Sequence, residues 1–185
     1  MKSISFAAGE ILLAVIWIVI RVSLCVYRRR IDWKREIKLL LMYVNIAVII
    51  RYTLYPFDRL NGSVRPLLFS RARVFPLRLN LIPFVGITNY DLKRDVYINI
   101  IGNVVMFIPT GVVLPVVYRN MDKAWKVIGT GALMSLCIEL IQLPFYGRTS
   151  DVDDLILNTA GCAVGYVIYV LARSRVMRSR KPEQV

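Results

Sequence analysis

The sequence contains no histidine among its 185 residues. This absence excludes the commonest general base, histidine-containing zinc sites, and the Ser-His and Cys-His nucleophile pairs. Its three cysteines, Cys25, Cys137 and Cys162, all lie in apolar stretches, where a thiol behaves as a small hydrophobic group, so we predict neither a disulfide nor a cysteine metal site. Any chemistry of this chain is therefore expected to depend on carboxylates, amides and arginines.

Polar residues are scarce as well, since 57% of the residues are hydrophobic and the mean hydropathy is +0.55. Five apolar stretches have about the 20 residues that a membrane-crossing helix needs, and they cover residues 8–27, 37–55, 96–118, 125–143 and 154–172. The sequence predicts an all-α integral membrane protein, a bundle of about five transmembrane helices. We divide it into an N-terminal anchor with a basic loop (1–36), a transmembrane domain (37–172) and a basic cytoplasmic tail (173–185).

One long connection separates the second and third predicted spans. Its apolar piece, with the sequence Asn80-Leu81-Ile82-Pro83-Phe84, is too short to cross the hydrocarbon, and its proline resists helix continuation. We predict a re-entrant or interfacial segment around residues 77–90, with a plain extracellular loop as the alternative.

Basic residues outnumber acidic ones by 25 to 12, which gives a net charge of +13. In a soluble protein this excess would suggest nucleic acid, but here the charges flank the apolar spans, so we expect membrane lipid and no nucleic acid as the partner. More lysine and arginine residues follow the first, third and fifth spans than lie on the opposite side. The positive-inside rule therefore predicts an outside N-terminus and a cytoplasmic C-terminus in a cell membrane.

Polar side chains inside the spans indicate a structural or functional role, because placing an ionisable group in hydrocarbon costs roughly 2.5–3.5 kcal/mol of free energy. Four spans place such a side chain at about the same depth below the predicted outer face: Arg51, Asn99, Glu139 and Asn158. Asn103 and Gln142 follow at helical spacing from Asn99 and Glu139. The simplest arrangement is one outward-facing polar cluster.

Each of these features also has a structural interpretation. Arg51 could extend to the headgroups instead of pairing with Glu139, and the asparagines could be hydrogen-bonding contacts between helices. The three aspartates at residues 151, 153 and 154 could cap the last span. Gly161 and Gly165 could allow close helix packing or a homodimer.

Four motifs follow one another along the chain: Asn80-Leu81-Ile82-Pro83-Phe84, Asn99-x-x-Gly102-Asn103-x-x-x-Phe107-x-Pro109-x-Gly111, Glu139-x-x-Gln142, and Arg148-x-x-Asp151-x-Asp153-Asp154-x-x-x-Asn158-x-x-Gly161. In this order and spacing they resemble the VanZ-like family of bacterial multi-pass membrane proteins, over roughly residues 40–172. The resemblance implies an envelope protein, since some relatives lower susceptibility to lipid-tailed glycopeptide antibiotics such as teicoplanin. It does not imply an established reaction.

Two classes of function remain open. The first is low-level glycopeptide resistance through an outward polar pocket that binds or alters a lipid-linked cell-wall intermediate or a lipoglycopeptide. Its ligand-binding residues would be Arg51, Asn99, Asn103, Gln142, Arg148 and Asn158. The second is an intramembrane enzyme acting on an isoprenoid or lipid phosphate, with a divalent cation such as Mg²⁺. Its catalytic residues would be Glu139, Asp153 and Asp154, and its metal ligands Asp151, Asp153 and Asp154. A transporter has less support, because no inverted repeat is evident.

Overall fold

The structure is a computed structural model that describes residues 2–55, 59–60, 63–70, 72, 79–84 and 93–179. These ranges contain five α-helices: α1 Phe6–Arg28, α2 Trp33–Thr53, α3 Lys93–Val117, α4 Ala124–Gln142 and α5 Val152–Ser179. Each helix coincides with one predicted span, which confirms the all-α bundle. The last helix continues to Ser179, so the first part of the predicted tail (173–185) is helical, and residues 180–185 lie outside the described part.

Four of these helices are long and apolar enough to cross a membrane by length and composition: α1, α3 from Val96, α4, and α5 as far as Met177. The helix α2 is long enough but not apolar enough to belong to this group, although it lies where the second span is predicted. Its first turns carry Lys34, Arg35, Glu36 and Lys38, which dilute its apolar character. The chain is a helical membrane protein.

Polar side chains cap the starts of α1 and α2, and a left-handed residue ends α1 at the turn between them. Ser5 begins α1 by accepting a hydrogen bond from the Ala8 backbone N–H at 3.2 Å, and Arg29 ends the helix in a left-handed conformation with φ 49°. Asp32 then caps α2 by accepting from the Arg35 N–H at 3.3 Å. A side chain that satisfies an otherwise unpaired N–H at a helix start stabilises that start by about 1 kcal/mol. The two helices therefore form a tight hairpin.

Glycines bring α3 and α5 into the most extensive helix contact of the described chain. A Cβ atom built on Gly161 would lie 2.1 Å from the Val104 carbonyl oxygen, and one on Gly165 would lie 2.0 Å from the Ile108 carbonyl oxygen. Both glycines are thus buried against α3 of the same chain. The two glycines therefore serve close helix packing within one chain, the first of the two roles considered for them, because only a missing side chain allows this backbone approach.

Small two-stranded sheets close one end of the bundle, which we call the strand end. There β1 (Lys2–Ile4) pairs antiparallel with β4 (Leu67–Phe69), and β5 (Leu79–Asn80) pairs parallel with β6 (Ser150–Asp151), directly before α5. A further hairpin joins β2 (Arg59–Leu60) and β3 (Ser63–Val64). The opposite end, which we call the turn end, carries the α1–α2 turn and the α3–α4 connection.

The predicted segment around 77–90 is described only over residues 79–84, and the remainder lies outside the described ranges. In this part, Leu79 and Asn80 form β5, while the side chains of Leu81, Ile82 and Phe84 are exposed. Exposed apolar side chains next to a membrane bundle fit an interfacial position. The strand pairing itself was not anticipated, because two-residue strands leave no period in a sequence.

Candidate functional site

Glu139 holds the connection between α4 and α5 against the bundle. Its side chain, only 3% exposed, accepts a hydrogen bond from the Asp151 backbone N–H at 2.9 Å through Oε2. Ser150 bonds to the same carboxylate. Glu139 is therefore linked to strand β6, and Arg51, one of its expected partners, does not pair with it.

Asp151 connects this strand to the start of α5. Its Oδ1 accepts from the Asp153 N–H at 2.9 Å, and its Oδ2 accepts from the Asn80 side-chain amide at 3.1 Å. The first bond is the helix-capping role that sequence analysis considered for one of the three aspartates. The second bond ties β5 to β6 through side chains as well as backbone.

Asp153 is buried, with one oxygen bonded and the other without a partner among the described residues. Oδ1 accepts from the Phe84 backbone N–H at 2.7 Å, where Phe84 adopts a positive φ of 70°. Oδ2 has no hydrogen-bond donor in the described part of the chain, although the side chain is only 3% exposed. A buried unpaired acceptor costs about 1–3 kcal/mol and marks a place where a donor would bind favourably.

Asp154 joins α5 to α3. Its Oδ1 accepts from the Asn103 amide at 2.7 Å, and Asn99 bonds to the same side chain. The spacing of four residues places both asparagines on one face of α3, as the sequence indicated. The two asparagines are the interhelical contacts that one interpretation expected.

Asn158 lies one turn further along α5 and is 1% exposed. Its amide group donates to the Ser135 hydroxyl on α4 at 2.9 Å, while its Oδ1 has no donor among the described residues. Ser135 precedes Glu139 by four residues, so both side chains share one face of α4. We call the assembly the polar cluster, and its members are Asn80, Asn99, Asn103, Ser135, Glu139, Ser150, Asp151, Asp153, Asp154 and Asn158.

Gln142 and Arg148 bind the last turn of α2 beside the polar cluster. The Gln142 amide donates to the Thr53 carbonyl oxygen at 2.8 Å, and Arg148 Nε donates to the Leu54 carbonyl oxygen at 3.1 Å. Burial lowers the pKa of the Arg148 guanidinium, and the nearby carboxylates of Asp154 and Glu139 oppose that shift. Both residues satisfy carbonyls that a helix end leaves unpaired.

Arg51 contacts two aromatic rings and a backbone carbonyl rather than Glu139, so of the two arrangements left open by the sequence the ion pair is not the one formed. Its guanidinium lies 5.4 Å from the ring centroids of both Phe6 and Tyr52, and Nη1 is 3.5 Å from the Tyr55 carbonyl oxygen. Aromatic faces attract a cation and can hold it at the edge of a membrane without a carboxylate. Arg51 therefore connects α2 to the beginning of α1.

The three aspartates proposed as magnesium ligands each bond to a different donor in the described chain. Within the described ranges, no group of three or more His, Cys, Asp or Glu side chains is arranged to hold a metal ion. Asp151, Asp153 and Asp154 instead accept hydrogen bonds from Asn80, Phe84 and Asn103.

Sequence reasoning did not single out Ser135, Ser150 or the buried pair in which the Thr110 hydroxyl donates to Asn45 Oδ1 at 2.8 Å. Ser135 had a usable signal, its four-residue spacing from Glu139. Ser150 had none, because its role depends on the strand pairing.

Comparison with known proteins identifies the family of the chain. The family model described as VanZ/LLP1 matches residues 11–173. Protein VanZ of Enterococcus faecium is 32% identical over 107 residues, which cover 58% of this chain and 61% of that protein, so the match spans less than two thirds of the relative's length. No solved structure matches the chain. Because the family model covers most of the sequence, including every member of the polar cluster, this chain belongs to the VanZ/LLP1 family.

Proposed function

We propose that the protein confers low-level resistance to glycopeptide antibiotics such as teicoplanin. Membership of the VanZ/LLP1 family and similarity to Protein VanZ support this function at the level of the family. The polar cluster is the part of the chain that acts.

The ligand of the polar cluster is, in this proposal, a lipid-linked cell-wall intermediate or the lipidated antibiotic itself. The observation that carries this proposal is the pair of buried acceptors, Asp153 Oδ2 and Asn158 Oδ1, which lack a donor in the described structure. Sugars and peptides present many hydroxyl and N–H donors, and a buried acceptor gains most from such a donor. The apolar surroundings suit a ligand that carries a lipid chain.

The proposed orientation places the strand end outside the cell and the turn end in the cytoplasm. The basic residues at the turn end and in α5 support it through the positive-inside rule. Alkaline phosphatase is active only outside the cytoplasm, so we expect activity when it is inserted at Gly147 and none when it follows residue 185. The reverse pattern would refute the orientation without affecting the assignment of the polar cluster.

The function is tested by teicoplanin inhibitory concentrations in a susceptible Gram-positive host. The host would express wild type, Glu139→Gln, Asp153→Asn or the control Asp122→Asn at matched membrane levels. Asp122 is an exposed carboxylate at the turn end that pairs with Lys126 on the surface. We expect protection by wild type and by Asp122→Asn and its loss in the two cluster variants. Equal protection by all four proteins would make the polar cluster structural, and no protection by any would refute the resistance function.

The second candidate is a cation-dependent enzyme acting on an isoprenoid or lipid phosphate. Its support is the unpaired carboxylate oxygen of Asp153. This candidate requires that chelation abolish protection and that Mg²⁺ or Mn²⁺ restore it. A binding protein requires neither effect, and the described carboxylates do not form a ligand set, so we rank the enzyme second.

A further inference from the structure

A charged cavity lies between α1 and α2 at the turn end, far from the polar cluster. Its volume is about 270 Å³, and it is lined by Arg21, Leu24, Cys25, Arg28, Arg30, Asp32, Arg35 and Glu36. Four arginines face two acidic residues here, so the lining carries an excess of positive charge. Nothing in the proposed function accounts for this site.

The floor of the cavity is a fixed ion pair. Arg21 contacts the Glu36 carboxylate with two nitrogens, Nε lying 2.9 Å from Oε2, and the exposed fractions of the two side chains are 14% and 18%. The Cys25 thiol lies 3.8 Å from the same carboxylate. A guanidinium has five N–H groups, so a pair that uses two of them leaves others for a second acceptor.

The rim consists of exposed arginines around the tight α1–α2 turn. Arg28 is in the last turn of α1, Arg30 lies in the connection, and Arg35 is in the first turn of α2. Asp32 contributes a carboxylate that already caps α2. The free charges at the rim are therefore mainly positive.

Aromatic and apolar residues define the level of the cavity in the membrane. The side chains of Tyr27 and Trp33 flank the turn and are 86% and 71% exposed, as is typical of residues at the headgroup level. Further into the bilayer, Val22 and Val26 of α1 are exposed, and no residue of α1 is buried. An apolar surface thus extends from the cavity along the outside of α1.

We propose that this cavity binds the phosphate headgroup of an anionic phospholipid, whose acyl chains lie along α1. Arginine forms forked, charge-assisted hydrogen bonds with phosphate oxygens, and basic pockets between transmembrane helices suit anionic headgroups. A zwitterionic lipid would bind more weakly, because its own ammonium group opposes the arginines. The site is independent of the resistance function and of which end faces the cytoplasm.

Native mass spectrometry of the full chain measures this preference. The protein is released from nanodiscs that contain phosphatidylglycerol and phosphatidylcholine with identical acyl chains. We expect wild type to retain phosphatidylglycerol selectively and Arg28→Gln/Arg30→Gln to lose the preference by roughly tenfold or more. The control is Arg173→Gln/Arg175→Gln, which removes the same charge from an exposed part of α5 at the same end. Equal losses in the two double variants, or no preference in wild type, would overturn the site.

Alkylation of Cys25 locates the bound lipid. In neutral detergent, phosphatidylglycerol should slow N-ethylmaleimide labelling of Cys25 by several-fold, phosphatidylcholine should not, and the exposed Cys137 should label equally in both. Inorganic phosphate at millimolar concentration should protect Cys25 far less than the lipid, because it lacks acyl chains. Equal protection by inorganic phosphate would overturn the lipid assignment in favour of a soluble anion, and protection by neither would overturn the site.

Discussion

The Glu139 carboxylate and the Asp151 backbone N–H form a 2.9 Å hydrogen bond that closes the connection between α4 and α5. The bond lies at strand β6, which pairs with β5 directly before α5. A charged residue in a membrane helix is retained where its partners lie within the protein. Glu139 therefore helps to hold the connection in place beside the polar cluster.

Glu139→Ala should therefore destabilise the protein, whereas Glu139→Gln should not. Alanine leaves the Asp151 N–H without an acceptor, at a cost of about 1–3 kcal/mol, while glutamine keeps an acceptor of the same shape. Thermal unfolding followed by size exclusion in detergent measures the difference. The control Leu140→Ala removes an exposed neighbour on α4 and should change the unfolding temperature little. Equal unfolding temperatures for alanine and glutamine would contradict the proposed bond.

A second prediction concerns the hydrogen bond between Asn158 and Ser135, which joins α5 to α4 at 2.9 Å. Ser135→Ala and Asn158→Ala should each destabilise the protein, because each leaves a buried partner unpaired. The double variant should lose less than the sum of the single losses, by about 0.5–1 kcal/mol, as measured for polar pairs between membrane helices. Unfolding in sodium dodecyl sulfate gives the four free energies. Strict additivity would show that the two side chains do not interact.

The shared depth of polar residues in the sequence suggested that their helices are neighbours, and three of these helices do meet in the structure. Asn99, Glu139 and Asn158 lie on three different spans, and the structure connects α3, α4 and α5 through the cluster that contains them. A polar group in lipid needs a hydrogen-bond partner within the protein, so polar residues at the same depth in different spans are expected to lie together. The same argument left the partner of Arg51 open, because depth does not indicate which way a side chain faces.

The strand end could not be predicted for a different reason. Its pairing joins residues far apart in sequence, such as Asn80 with Asp151, through strands of only two residues. No hydrophobic period develops over two residues, and the partner is fixed by how the helices have already packed. The donors to Asp153 and Glu139 are backbone N–H groups in and beside these strands, so their hydrogen bonds could not be predicted from the sequence either.

A third prediction concerns the ion pair between Arg21 and Glu36. Arg21→Gln and Glu36→Gln should each lower the unfolding temperature, because each leaves a part-buried charge without its partner. The combined variant Arg21→Gln/Glu36→Gln should recover most of that loss, since two neutral amides can replace the pair. Lys126→Gln, which breaks the exposed pair with Asp122, is the control and should leave the unfolding temperature nearly unchanged, because water screens an exposed pair. Failure of the double variant to recover would mean that Arg21 supports the fold through some other contact.

The last prediction tests how α3 and α5 pack. Gly161→Ala and Gly165→Ala should each force the two backbones apart, because the added Cβ would lie about 2 Å from a carbonyl oxygen that cannot rotate away. The expected loss is roughly 1–3 kcal/mol, as in other overpacked cores. Gly102→Ala and Gly129→Ala are matched controls in the same bundle, since nothing lies within 4 Å of their added Cβ atoms. Alanine also favours helix over glycine, so these controls should be neutral or slightly stabilising.

If Gly161 and Gly165 instead formed a homodimer contact, the alanine variants would dissociate a cross-linkable dimer while leaving the unfolding temperature of the monomer unchanged. A lower monomer unfolding temperature therefore supports packing within one chain, and a dimer lost without destabilisation would refute it.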